Sequence, residues 1–184
     1  MRIYTKTGDD GNTGVQGGLR ISKSDPRIAA YGAVDEANAL LGVVLAGDVD
    51  SDVRRVLDRV QNDLFVVGSD LSNPNLGDLR NRVMPEMVDD LESDIDRFES
   101  ELPSLTSFVI PGGSAPATRL HHARTVVRRA EAVTVRLSDT AEINLQCMIY
   151  LNRLSDLLFV LARLLNRRNG YDDVIWSAGK KLTS

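Results

Sequence analysis

Apolar residues recur at helical spacing in four separate stretches of this chain, and that recurrence limits the fold more than any other feature. Over residues 142–168, Leu151, Leu154, Leu158, Leu161 and Leu165 stand three or four positions apart, so one helix face is continuously apolar. Val53, Val56, Leu57, Val60, Leu64 and Val67 mark a second helix over 51–71. Met87, Val88, Leu91, Ile95 and Phe98 mark another over 85–101, whose other faces are acidic. A helix is predicted over 26–46, with Pro26 at its first turn and Gly47-Asp48 as its stop. A further helix is predicted over 115–137, with Val126, Val127, Ala130 and Val133 as its core face. Asn169-Gly170 closes the last helix. No strongly alternating strand pattern interrupts the series, and the connections are short. These features specify an all-α fold, a five-helix antiparallel bundle preceded by a glycine-rich N-terminal arm. Residues 1–184 read as a single domain: an arm over 1–25, the bundle over 26–168 and a tail over 169–184.

The 184 residues suffice for one substantial core. A formal net charge of −4 argues against nucleic acid as the partner. Cys147 is the only cysteine, which excludes an internal disulfide and suits a buried small hydrophobe. The opening Met-Arg-Ile-Tyr-Thr-Lys lacks the apolar core of a secretory signal, and no run of about 18 apolar residues occurs. A cytoplasmic protein without a membrane span is expected.

The arm is chemically unlike the rest. Residues 5–18 hold five glycines, three threonines, two aspartates and Lys6. Such a segment buries little apolar area, so packing alone does not account for it. Glycines let backbone N–H groups approach an anion, threonines add hydroxyl donors, and lysine adds positive charge. An aspartate there could hold a magnesium ion that bridges phosphates. The spacing is not that of a Walker A loop or of G-x-G-x-x-G. A phosphate-binding loop and a flexible polar arm both fit the composition.

Several polar residues stand among apolar neighbours. Arg124, Arg128 and Glu131 share one face of the fourth helix, with Arg129 adjacent. Two arginines one turn apart suit a triphosphate, and the same residues also suit a solvated face with a helical ion pair. Asn152 and Asp156 lie one turn apart in the apolar fifth helix, where a buried amide needs a partner from the protein or from a ligand. Asp35 sits among Ala33, Val34 and Ala37 in the first helix, a position that invites an arginine partner. His121 and His122 are adjacent and point about 100° apart on a helix, which makes them poor joint ligands for one metal. No Ser-His-Asp, Cys-His or H-E-x-x-H arrangement is present, and the metal ligands, if any, stay unassigned.

Taken in order, several segments resemble one family. Thr5-Lys6-Thr7-Gly8-Asp9-Asp10-Gly11 and Tyr31-Gly32-Ala33-Val34-Asp35-Glu36 look like the opening of the PduO-type ATP:cob(I)alamin adenosyltransferases. Phe108-Val109-Ile110-Pro111-Gly112-Gly113, Leu120-His121-His122-Ala123-Arg124, Arg128-Arg129-Ala130-Glu131 and Tyr150-Leu151-Asn152-Arg153-Leu154-Ser155-Asp156 match its later blocks. The resemblance implies a trimer with active sites between subunits. It implies transfer of the 5′-deoxyadenosyl group of ATP to the cobalt of cob(I)alamin, giving adenosylcobalamin and triphosphate.

Carried over residue by residue, Thr5, Lys6, Thr7, Gly8, Asn12 and Thr13 would cradle the triphosphate, with Lys23 adding charge. Arg124, Arg128, Arg129 and Glu131 would contact ATP or its Mg²⁺, and Asn152 would hold the nucleotide. Asp35 would pair with Arg128. Phe108 would press on the lower face of the corrin, so that Phe108, Arg128 and Asp35 carry the catalytic assignments. A flavin-type reductase and an adenosylcobalamin-dependent enzyme are the implied protein partners. A non-catalytic ATP sensor or corrinoid carrier on the same bundle is the alternative. Ala132 departs from the pattern, which often has arginine there. The arm is expected to be loose until both ATP and a neighbouring subunit are present.

Overall fold

The computed structural model describes residues 2–177. Two short strands, β1 (Asn12–Gly14) and β2 (Arg20–Ser22), precede five helices, α1 (Pro26–Leu45), α2 (Ser51–Ser72), α3 (Pro85–Glu99), α4 (Ala115–Ser138) and α5 (Gln146–Arg168). Apart from the start of α5, the helices begin and end within a few residues of the predicted bounds. At the start of α1 the Asp25 carboxylate accepts from the Arg27 N–H at 2.8 Å, and Pro26 follows it where no backbone donor is needed.

Helix α5 starts four residues later than periodicity alone suggests, and the reason is Asn144. Its Oδ1 accepts from the Gln146 N–H at 3.1 Å. Its Nδ2 donates to Asp70 Oδ2 at 2.7 Å and to the Val83 carbonyl at 2.8 Å. The amide is committed to α2 and to the segment before α3, so the chain enters α5 only after it.

The arm contains a short hairpin that its composition does not announce. Strands β1 and β2 pair antiparallel with Thr13 opposite Ile21, and the Val15 N–H donates to the Leu19 carbonyl at 2.9 Å. Gly17 and Gly18 close the hairpin with φ of 86° and 82°, a left-handed conformation costly for other residues. Strands of three residues are too short to show as alternation in the sequence.

In the bundle, α1 packs against α2 and α4, while α5 packs against α4 and α3. Helix α5 is the most deeply buried: Leu151, Leu154, Leu157, Leu158, Leu161 and Leu164 are all fully covered. Helix α1 is long and apolar enough by composition to cross a membrane, with mean hydropathy 1.4. Its Ala30, Val34, Ala37, Leu41 and Val44 instead form core contacts, and Arg27, Asp35 and Glu36 interrupt it. Among α1 and α2, Asn38 and Gln61 exchange side-chain donors and backbone acceptors at 3.2 and 3.1 Å. Cys147 is buried and free, and its thiol pKa is pushed up, first by burial and then by Asp70.

One buried polar network fixes the 73–84 connection. Arg82 pairs with Asp70 and also donates to the carbonyls of Asn75 and Asp78. Asp70 Oδ2 accepts from the Val83 N–H at 2.8 Å as well as from Asn144. Removing one partner of a buried ion pair leaves an uncompensated charge, at a cost of about 3–5 kcal/mol. Arg82→Met is therefore predicted to lower the melting temperature by about 10 °C. An unchanged melting temperature by circular dichroism would show that Asp70 does not depend on Arg82.

Candidate functional site

The polar residues singled out above fall into three groups. The first surrounds the hairpin. Thr5 and Thr7 share a hydroxyl contact of 2.8 Å, and Lys6 between them holds a φ of 62°. A non-glycine residue in that region signals a constrained loop. A Cβ on Gly8 would meet the Asn12 carbonyl and Lys23 Nζ, both at 3.2 Å, so the glycine lets the ammonium approach the loop. The Lys23 N–H donates to the Gly11 carbonyl at 2.8 Å. Thr5, Lys6, Thr7, Gly8, Asn12, Thr13 and Lys23 are thus gathered on one hairpin and its entry loop. Arg20, which sequence reasoning passed over, holds this loop by donating to the Thr7 carbonyl at 2.5 Å. Asp10 accepts from the Asn12 N–H at 3.0 Å, a bond that lowers its carboxyl pKa. Gln16 Nε2 donates to Ser69 Oγ at 2.7 Å and seats the hairpin on α2. Between them lies a cavity of about 610 Å³ whose lining includes Tyr31, Asp35, Asn38 and Phe65.

The second group lies on α4 and α5. Arg128 and Arg129 are exposed, and Arg124 is half-buried with its Nε covered and without a partner. Burial first, and the Arg128 charge second, lower the Arg124 pKa from the usual arginine value. Two like charges on adjacent turns, one of them poorly solvated, make this face attractive to an anion. Glu131 Oε1 accepts from Asn152 Nδ2 at 3.1 Å. Asn152 is exposed, not buried as expected, because its face of α5 turns away from the core beside Glu131. Asp156 is likewise exposed and pairs with Arg153 at 3.2 Å. Ala132 is exposed on α4.

The expected Asp35–Arg128 pair does not form within the chain. Asp35 is exposed and lines the cavity beside the hairpin, whereas Glu36, the next residue, turns toward α4 and pairs with Arg129. Among the described residues, no hydrogen bond or ion pair joins the hairpin group to the Arg124–Glu131 face.

The third group is the Phe108 segment. Phe108 is 79% exposed, an unusual state for so large an aromatic side chain. Its backbone is nonetheless held. The Trp176 N–H donates to the Phe108 carbonyl at 2.7 Å, and the Ile110 N–H donates to the Val174 carbonyl at 2.7 Å. Val109 forms an antiparallel bridge with Ile175. Trp176 meets the Phe108 ring edge-on, with centroids 6.3 Å apart. The tail residues 171–177 thereby act as a partner strand for the Phe108 loop, which no short-range sequence signal announces. Lys180 and Lys181 lie outside the described residues.

On α4, beside the Phe159 ring, His121 is 2% exposed, and neither ring nitrogen has a partner. Among the described residues, no cluster of three or more His, Cys, Asp or Glu side chains is arranged to hold a metal.

The family model described as cobalamin adenosyltransferase matches residues 3–165. The corrinoid adenosyltransferase of Mycobacterium leprae (strain TN) is 44% identical over 187 residues, covering 97% of this chain and 96% of that protein. Two structures of variants of the PduO-type ATP:corrinoid adenosyltransferase from Lactobacillus reuteri share 36% identity with this chain. One, a phenylalanine-to-alanine variant complexed with cobalamin and ATP, aligns with TM-score 0.89 over 95% of this chain and 99% of that one. The other, an arginine-to-lysine variant complexed with ATP, aligns with TM-score 0.88 over 95% of this chain and 100% of that one. The two replaced positions stand twenty residues apart.

The unpartnered His121 ring predicts a pH-dependent stability. Burial, and secondarily Arg124, push its pKa below the usual histidine value, while Asp173 opposes them. The unfolded chain then takes up a proton that the folded chain resists, so stability is lost as pH falls below about 6.5. The melting temperature is predicted to drop by about 2–4 °C between pH 6.5 and pH 5.5. His121→Gln should remove most of that drop. A wild-type curve as flat as that of the variant would contradict the assignment.

Proposed function

This chain is a member of the cobalamin adenosyltransferase family, and we propose that it transfers the 5′-deoxyadenosyl group of ATP to the cobalt of cob(I)alamin. The observation that carries the reading is Phe108, an apolar ring pushed into solvent on a backbone held by a neighbouring strand. Phe108 and Arg128 also stand twenty residues apart, the spacing of the phenylalanine and arginine replaced in the Lactobacillus reuteri protein.

The chemistry explains the residue types. Cobalt(II) of the incoming cobalamin takes one electron from a reductase, for which a flavin-type protein is the proposed class. An aromatic ring with no donor atom, pressed on the lower corrin face, keeps water and the nucleotide base off the metal and favours that reduction. Phe108 is suited to this role. Cobalt(I) then attacks C5′ of ATP with its electron pair. The cobalt–carbon bond forms as the C5′–oxygen bond breaks, and triphosphate leaves with the bonding pair. The protein supplies no nucleophile or base. Its task is to hold C5′ in line with cobalt and to stabilise charge growing on the triphosphate.

Two half-sites fit that task. The hairpin supplies Thr5, Lys6, Thr7, Gly8, Asn12, Thr13 and Lys23 for the triphosphate. The α4–α5 face supplies Arg124, Arg128, Arg129, Glu131 and Asn152 for the rest of ATP. Because they do not meet within one chain, the proposed assembly is a homotrimer in which the hairpin of one copy faces α4 of the next. Asp35 then has access to an arginine of a neighbouring copy. Mg²⁺ fits as the ion that travels with ATP, since it keeps most of its ligands as phosphate oxygens and water and asks for one or two carboxylates. Glu131, on the same face of α4 as Arg124 and Arg128, is the proposed contact. A reducing compartment suits the cobalt chemistry, and cytoplasmic action and delivery to an adenosylcobalamin-dependent enzyme belong to the same proposal.

Anaerobic incubation of the full chain with Mg-ATP and chemically reduced cobalamin should convert the spectrum to that of adenosylcobalamin. Tight ATP binding without conversion would favour a sensor or carrier. Phe108→Ala should lose about a hundredfold in rate when cobalt(II) is reduced in the site and much less when cobalt(I) is supplied. Equal losses in the two assays would remove the lower-face role. Arg128→Lys keeps the charge but loses the planar fork, and should cost about tenfold or more in kcat/KM. Wild-type turnover would take Arg128 out of the nucleotide site.

A further inference from the structure

Both strands of the Phe108 segment are fastened to the last two turns of α5, and one side chain makes the central connection. Asn166 is 3% exposed. Its Oδ1 accepts from the Ser114 N–H at 2.8 Å, and its Nδ2 donates to the Gly112 carbonyl at 2.9 Å. An amide that merely capped its own helix would bond to nearby carbonyls. These bonds reach 54 and 52 residues away, to the turn that follows Phe108. The fit is close: Gly113 has φ 102°, and a Cβ there would lie 2.2 Å from Asn166 Oδ1. The Asn166 carbonyl also accepts from the Tyr171 N–H at 2.9 Å, which starts the tail toward Phe108. One turn earlier, the buried Arg163 donates to Asp173 Oδ2 at 2.7 Å and to the Pro103 carbonyl at 2.9 Å, bracketing the same two strands.

We infer that Asn166 is the positioning residue for Phe108: it sets the height and angle at which the ring meets the lower corrin face. This inference rests on the lower-face role proposed for Phe108. A short neutral amide suits the place. Aspartate would keep the acceptor for Ser114 but lose the donor to Gly112, and glutamine would add a methylene where there is no room. Misplacing the ring by about 1 Å is enough to cost on the order of a hundredfold in a reaction that depends on its contact with the corrin.

The test uses the full chain and four variants, Phe108→Ala, Asn166→Ala, Gly113→Ala and the Asn166→Ala/Gly113→Ala double. Each is assayed with Mg-ATP and either cob(II)alamin plus a reductant or preformed cob(I)alamin. Asn166→Ala should lose at least about tenfold more in the first assay than in the second, with KM for ATP unchanged within about twofold. Gly113→Ala should reproduce that split by disturbing the same contact from the loop side, and the double variant should lose little more than either single. Trp176, the only tryptophan, gives a readout independent of turnover. Its fluorescence should shift in both single variants before any ligand is added, because its edge contact with Phe108 changes. If Phe108→Ala shows the split while the folded Asn166→Ala and Gly113→Ala variants lose rate equally in both assays, the positioning role is overturned and the lower-face role stands. If Phe108→Ala itself shows no split, the lower-face role falls and takes this inference with it. If Asn166→Ala fails to fold, Gly113→Ala decides alone.

Discussion

Burial of α5 between α4 and α3 is the interaction from which the other parts take their positions. Leu151, Leu154, Leu158, Leu161 and Leu165 anchor one long face of the helix, and Leu157 and Leu164 extend the buried surface around it. A helix covered on so many sides has little freedom to slide or rotate, because each change of register would expose methyl groups or open cavities. Its few polar residues are therefore held at fixed places. Asn152 emerges beside Glu131 on α4, and Asn166 and Arg163 reach the Phe108 loop and the tail about three turns further on. One rigid rod thus relates the proposed nucleotide face to the proposed cobalamin face.

Each proposed contact surface keeps an interaction in reserve. Arg124 is half-buried with a covered Nε, and the Arg128 charge beside it adds a like-charge repulsion that a bound anion would offset. Phe108 exposes its ring to water, an arrangement that a flat apolar ligand relieves. Neither feature improves the stability of the isolated chain. Both are held in place by ordered surroundings: the α1 and α4 packing behind Arg124, and the backbone pairing to Val174 and Trp176 behind Phe108. Local cost supported by a stable scaffold is what a preorganised site requires.

Much of this was legible in the sequence where a single local signal decided the outcome. Apolar spacing located α2 to α5, Pro26 and Gly47-Asp48 bounded α1, and Asn169-Gly170 marked the end of α5. Where two structural demands met in one residue, the sequence pattern misled. The last helix is predicted from 142, but the Asn144 amide is bound to Asp70 and Val83 and α5 begins at Gln146. Asn152 stands in an apolar run yet faces outward, because the run covers less than the full circumference of the helix. Asp35 and Glu36 are neighbours, and only the turn of α1 decides that Glu36 meets Arg129. The residues that hold the loops, Arg20 and Asn166, give no local signal at all. Their partners lie 13 and about fifty positions away, and nothing in the intervening chain marks the meeting. Composition left the glycine-rich arm open between a phosphate loop and a flexible segment, and its hairpin depends on Gly17 and Gly18 adopting positive φ, which composition alone does not settle.

The central claim is that cobalt attacks C5′ while the protein anchors the leaving phosphates. Phosphorus-31 NMR of the products of a single anaerobic turnover tests it directly. One intact triphosphate per adenosylcobalamin formed is the predicted result. Release of diphosphate or monophosphate in step with adenosylcobalamin, without intact triphosphate appearing first, would contradict it.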